Sequence, residues 1–309
     1  MPPRVLEYFT RRLGWALLTL LGISVINFLL MYAVPVDPAR VIVGIHAPES
    51  TVIAVRNALG LNRPLYVQYG VFLWHLLHFN LGYSYMMHRP VTNMLGQAIL
   101  MTGRLAIAAF IAEILIGGTF GYIAAYQRGR WVDRLLSMLG LVGMSIPNYW
   151  VGTMMIFVFA YLIPIFPLYG QGFSNLVLPA LTVGLTGAAY YMRVLRTSLI
   201  DIMSADHVRT AAAKGLSPFK VSLRHVARNA LIPVITLAGM DIAGMLSGLV
   251  IIETVFGWPG IGLMSFQAVQ DLDIPVVMGA VLYTTSVIVV LNLLVDVVYA
   301  FLDPRVRYS

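Results

Sequence analysis

The residues capable of chemistry are few in this 309-residue chain, and their spacing excludes more than it offers. There is no cysteine, so disulfides, thiolate catalysis, cysteine-ligated zinc and iron–sulfur clusters are all removed. A phosphate-binding loop needs glycines that bring backbone N–H groups up to phosphate, followed by Lys and Ser or Thr. The two lysines, Lys214 before Gly215 and Lys220 before Val221, stand in no such context. Neither a His-Glu-x-x-His zinc pattern nor a Gly-x-Ser-x-Gly nucleophile turn occurs. No catalytic set, metal site or cofactor is therefore expected in this chain. What remains is a cluster of basic and small residues around 206–215 and three acids, Glu113, Asp241 and Asp296, inside long apolar runs.

Those apolar runs must position everything else. Hydrophobic residues make up 59% of the chain, charged residues only 11%, and the mean hydropathy is +0.83. A soluble domain of this size would carry far more polar surface. A bilayer core calls for about 20 apolar residues in a helix rising about 1.5 Å each. Six stretches qualify: about 13–34, 99–126, 135–163, 177–199, 231–252 and 275–302. The first is too long for a signal peptide, and no small-x-small cleavage site precedes Pro35, so a retained anchor is expected. The expected fold is an all-α, polytopic membrane protein with six transmembrane helices. Its parts are an N-terminus and first helix (1–34), an external segment (35–98) and a five-helix core (99–309) with a cytoplasmic loop at 200–230.

The net charge of +7 does not point to nucleic acid, because the basic residues form no stripe on a soluble face. With the N-terminus inside, the inner segments carry Arg4, Arg11, Arg12, Arg128, Arg130, Arg134, Arg193, Arg196, Arg209, Lys214, Lys220, Arg224, Arg228, Arg305 and Arg307. That is 15 of the 20 basic residues. The short outer connections at about 164–176 and 253–274 have none. The positive-inside rule places both termini in the cytoplasm.

A charged aspartate near mid-membrane costs roughly 2.5–3.5 kcal/mol on insertion scales, so each buried acid must face protein or a water-filled path. Asp241 lies among Gly239, Gly244, Ser247 and Gly248, which permit close helix approach. That face is expected to line a translocation path, with Asp241 meeting a substrate ammonium or keeping the path wet. A hydrogen bond from Asp241 to another helix fits the same residues. Glu113 and Asp296 read as interhelical packing groups, and Pro147 as a kink in the third span.

Two connections are too long for turns. Outside, Glu49 to Leu59 reads as a helix ended by Gly60, and a second follows Pro64. Its Leu65, Tyr69, Phe72, Leu73, Leu76 and Leu77 form a face that fits the membrane surface, or packing on the spans. Inside, Asp206 to Gly215 reads as a short alanine-rich helix stopped by glycine. A second helical run, Phe219 to Asn229, leads to Pro233 at the start of the fifth span. Small side chains let another surface come close, and Arg209 and Lys214 can fix its register. On spacing alone a solvated basic loop fits equally well.

At this loop the chain resembles the permeases of bacterial ATP-binding cassette (ABC) importers, in particular the first, B-type permease of the dipeptide/oligopeptide/nickel branch. Arg209-Thr-Ala-Ala-Ala-Lys-Gly215, Arg224-His225 and Leu231-Ile-Pro233 resemble that branch's coupling motif. The resemblance continues through Val34-Pro-Val-Asp-Pro-Ala39, Leu59 to Leu65, Leu81 to Ser84, Arg89 to Val91, Ser145 to Trp150, Glu253 to Gly262 and Leu302 to Arg305. Val36, Leu263 and Leu272 depart from the branch's usual residues.

The resemblance implies a type I ABC importer permease fold in a bacterial or archaeal cytoplasmic (inner) membrane. Asp206, Arg209, Thr210, Ala211, Ala212, Lys214 and Gly215 would form the coupling helix. Two separate ATPase subunits would bind ATP and Mg and dock there. A second homologous permease would complete the pore, and an extracytoplasmic binding protein would deliver the substrate. Asp241, Gly244, Ser247 and Gly248 are expected on the path, and Glu253, Phe256, Trp258 and Pro259 at an outer gate or binding-protein contact. Peptide is the expected substrate, with nickel complexes, glutathione or oligosaccharides as alternatives. A proton-coupled secondary transporter working through Asp241 or Glu113 is the distant rival, and an intramembrane enzyme lacks a nucleophile–base set.

Overall fold

The computed structural model describes residues 3–33, 37–43, 47–84, 86–168 and 170–302. Residues 34–36, 303–305 and 307, which belong to expected motifs or inner charges, lie outside the described residues. So do the side chains of Arg4 and Asp296. Among the described residues the structure is almost entirely helical, with one two-stranded ribbon pairing β1 (Tyr83–Ser84) and β2 (Arg89–Pro90).

Five helices among the described residues are long and apolar enough to cross a membrane: α1 (Pro3–Ala33), α5 (Val91–Tyr126), α8 (Phe173–Met203), α11 (Arg228–Leu246) and α14 (Ile274–Leu302). The sixth is a broken pair, α6 (Trp131–Ser145) and α7 (Asn148–Ile156), continued by a π-helical turn to Leu162. A mere kink was expected at Pro147, but the two parts meet at 98°. Pro147 has no N–H and forces the preceding residue out of the helical region. Ile146 is extended at φ −84°, ψ 129°, so the first helix stops and a new one starts.

The fifth span also differs from expectation. It was expected to run unbroken to about 252, yet α11 ends at Leu246 and α12 (Val250–Phe256) begins after three unwound residues. Gly248 adopts φ +122°, a conformation open to glycine, and a Cβ there would lie 3.3 Å from the Gly262 nitrogen. The carbonyls freed at the break are taken up by hydroxyls of α14: Tyr283 Oη donates to Leu246 O (3.1 Å) and Thr284 Oγ1 to Ser247 O (3.0 Å). Pro233, expected at the start of this span, sits inside α11 instead. The second inner run is α10 (Pro218–Val221) followed by a π-helical turn, Ser222–Ala227.

The chain divides into two compact units. The first holds residues 1–101, 246–250 and 260–309. Val91, Leu95, Ala98, Ile261, Ala268, Val276 and Ala280 form its buried core, and Asn27 Nδ2 of α1 donates to Met278 O of α14 (2.9 Å). Its α3 (Glu49–Ala58) ends at Gly60 (φ +69°) and α4 (Leu65–Leu77) follows Pro64, as expected. The apolar face of α4 packs on a span at Tyr69 and Phe72, which meet Phe28 of α1, and Tyr69 Oη shares a 2.8 Å hydrogen bond with Ser24 Oγ. Leu65 and Leu77 are exposed.

The second unit holds residues 102–245 and 251–259. In it α5 and α8 cross at glycines: a Cβ on Gly117 would lie 2.5 Å from Ala188 O, and one on Gly121 2.8 Å from Met192 O. Small residues allow the backbones this close, as membrane helices require.

Candidate functional site

The inner loop is built from its apolar residues outward. In α9 (Asp206–Ala213), Val208 and Ala211 point inward to a cluster with Leu195, Leu199, Val221 and Val226. The helix is thus held from one side. Thr210, Ala212, Lys214 and Gly215 are exposed on the other, and the side chains of Asp206 and Arg209 are 99% and 74% exposed. Ala211, expected on the partner-facing surface, instead anchors the helix to its own unit. Lys214 closes the helix and Gly215 turns the chain at φ +79°. Nothing lies within 4 Å of a Cβ placed on Gly215, so its conformation is the constraint there, not space. The Arg209–Asp206 pair, at 3.9 Å and exposed, contributes little, leaving both side chains available. The tyrosine ending α5, Tyr126, hydrogen-bonds Ser222 in the following π-helical turn.

The Glu253–Gly262 signature has the opposite character. α12 ends in a turn where Gly257 (φ +60°) donates to Thr254 O (3.3 Å) and Trp258 N donates to Glu253 O (2.8 Å). Glu253 is fully buried and accepts from Thr102 Oγ1 at 2.7 Å. Phe256 and Trp258 are buried too, and Phe256 meets the space over Gly152. Of the four residues expected at an outer gate or binding-protein contact, Pro259 alone has appreciable surface. Glu253, Phe256 and Trp258 have none to offer a binding protein in this conformation, because they hold the turn in place.

Asp241, on α11, is half-buried and accepts a 3.0 Å hydrogen bond from Tyr191 Oη of α8. Glu113 of α5 lies within hydrogen-bonding reach of the same carboxyl. A contact to other helices, the second reading of Asp241, is thus present. Gly244 is exposed, with nothing within 4 Å of a Cβ, so it does not serve close packing inside the chain. Ser247 and Gly248 lie in the unwound break. Of these path candidates Gly244 is exposed, whereas Asp241, Ser247 and Gly248 are half-buried.

Two polar pairs were not singled out from the sequence. Asp133 accepts two hydrogen bonds from Arg196, at 2.6 and 2.9 Å, fastening α6 to α8, and accepts another from Gly129 N at 2.9 Å. An acid in the first turn of a helix was a readable signal; its partner, 63 residues on, was not. In the first unit, buried Asp273 accepts from Ser84 of β1.

Residues 117–308 match the family described as binding-protein-dependent transport system inner membrane component, and residues 5–106 match its N-terminal companion. A protein of Brucella abortus (strain 2308) named as a peptide transport system permease is 36% identical over 308 residues, covering 97% of this chain and 98% of the relative. The glutathione transport system permease GsiC of Salmonella typhimurium (strain LT2) is 37% identical over 306 residues, covering 99% and 100%. Among solved structures, the inward-facing MetNI methionine ABC transporter superposes with a TM-score of 0.53 at 16% identity. The match covers 68% of this chain and 96% of that one. An amino acid ABC transporter superposes with a TM-score of 0.51 at 13% identity, covering 68% and 95%.

Proposed function

The chain belongs to the inner-membrane components of binding-protein-dependent transport systems and is the multi-pass membrane permease of a bacterial ABC importer, and from that premise we propose how it receives its driving force. The exposed face of α9, made by Asp206, Arg209, Thr210, Ala212 and Lys214, is the surface on which a separate ATPase docks. ATP and Mg are bound and consumed on that partner. The observation that carries this reading is the two-sidedness of α9: a buried base at Val208 and Ala211 beneath an exposed face of small and basic residues. Such a helix transmits a push as a unit, because its base is packed against the turn that runs directly into α11.

In this reading both termini are cytoplasmic, a second homologous permease completes the pore, and an extracytoplasmic binding protein delivers the cargo. The path runs along Asp241, Gly244, Ser247 and Gly248, with Asp241 available to a substrate ammonium. The Glu253–Pro259 turn frames the outer gate. Peptides are the substrate class that the names of the relatives support, glutathione being itself a peptide.

The absence of native cysteine makes the test simple. Ala212→Cys, reconstituted with the ATPases, should cross-link to an ATPase subunit, and the complex should import peptide with ATP and no ion gradient. Uptake that follows a proton gradient and ignores ATP, or a cross-link only to the second permease, would refute the docking assignment.

A further inference from the structure

The mechanism above makes no use of Glu113, a buried acid of α5. It is 2% exposed and sits one turn before Gly117 at the crossing of α5 and α8. The site is shaped for it. A Cβ on Gly187 of α8 would lie 1.8 Å from Glu113 Oε1 and 2.3 Å from its Cδ, so glycine leaves the pocket that the carboxyl fills. Its Oε2 is buried with no donor from the protein. The polar group it faces is the Asp241 carboxyl, which is likewise an acceptor and already takes the Tyr191 hydroxyl proton. Asp241 is the titratable neighbour of Glu113, and Asp241 and Glu113 are those of Tyr191; among the described residues no basic group is one of them. Arg196, on the same helix as Tyr191, is committed to Asp133.

Two acceptors that face each other in a buried site need something positive between them. A hard metal cation calls for about six or more oxygen ligands. Among the described residues, only two carboxyls and one phenol meet here, and the phenol points its proton at Asp241. A proton on Glu113 Oε2 gives that buried oxygen a partner. We propose that Glu113 and Asp241 form a proton-binding site: the pair holds one proton, carried on Glu113 Oε2 and donated to Asp241. Asp241 then accepts from α5 and from α8, and the pair carries a single negative charge. The proton pins α11, the helix continuous with the inner hinge, to the two helices it crosses. The site stands whether or not Asp241 also lines the path.

Infrared spectroscopy of the complete reconstituted transporter at neutral pH tests this. The expected result is a protonated-carboxyl carbonyl band that shifts in heavy water, shifts again with carboxyl-labelled glutamate, and disappears in Glu113→Gln. Glutamine can donate its amide N–H to Asp241 as the acid does. Glu113→Gln should therefore keep ATP-driven uptake within about twofold of wild type, while Glu113→Ala, which removes the donor, should lose about tenfold or more. Absence of the band in the unsubstituted protein would overturn the proposal, as would a band insensitive to the glutamate label. A Glu113→Gln variant that assembles yet transports as poorly as Glu113→Ala would overturn it too. The band itself is read on the native sequence, so a variant that fails to fold does not blunt the test.

Discussion

The α9 hinge and the α12 turn are built alike and behave as opposites. Each is a short helix ended by a glycine with positive φ, Gly215 at +79° and Gly257 at +60°. At the end of α9 the residues before the glycine, Ala213 and Lys214, are small or basic and exposed; around the glycine that ends α12 stand Glu253, Phe256 and Trp258, all buried. The same backbone device presents a surface in one place and locks a frame in the other. What decides is the side chain, since large apolar groups gain by leaving water while a Lys or Arg gains by staying in it. A moving contact belongs on the first kind of element and a fixed support on the second.

If that contrast is right, substitutions of the buried side chains of the frame cost stability, and substitutions of the exposed side chains of the hinge do not. Trp258→Ala should have the largest effect, about 3–5 kcal/mol, since it empties a fully buried site. A large drop in the unfolding midpoint of the purified complex checks it. Thr102→Val should cost less, about 1–3 kcal/mol, by taking one donor from buried Glu253. The same melting experiment ranks the two, and a Thr102→Val complex as stable as the parent would remove Glu253 from the frame. Gly215→Ala should cost about 1–2 kcal/mol, purely from its positive φ, because a Cβ there touches nothing. Gly215→Asn, which tolerates that conformation better, should recover part of the loss.

How much of this was legible follows from sequence separation. Gly60 and Gly215 ended their helices where the sequence placed the stops, because a glycine stop acts through its own φ. Pro147 was legible as a disturbance; its depth was not, since the 98° bend also depends on what each half packs against. The break at Ser247–Leu249 was missed because small residues in an apolar run read as helix packing. The hydroxyls that cap it, Tyr283 and Thr284, come from 37 residues away. Glu253 was read as part of an outer signature, but its burial depends on Thr102, 151 residues distant. The exposed face of α9 was legible as far as its helix. That Ala211 faces in while Ala212 faces out required the partners of Ala211, Val221 and Val226, to be placed.

The smallest expected effect on stability is also the sharpest probe of the comparison. Arg209→Glu replaces a side chain that is 74% exposed and whose ion-pair partner, Asp206, is 3.9 Å away and itself exposed. Such a change should alter stability by no more than about 0.5 kcal/mol. On a docking surface, however, reversing the charge sets like against like wherever an acidic group of the ATPase meets Arg209. A tenfold loss of coupled uptake corresponds to about 1.4 kcal/mol at that contact, within the range of a single charged group. The expected outcome is an unchanged melting curve with uptake reduced about tenfold, and Arg209→Lys restoring most of it because the site needs positive charge and not a fork of donors. An Arg209→Glu protein that transports normally would show that the exposed face of α9 is only solvated, and the contrast with the buried turn would then lose its functional meaning.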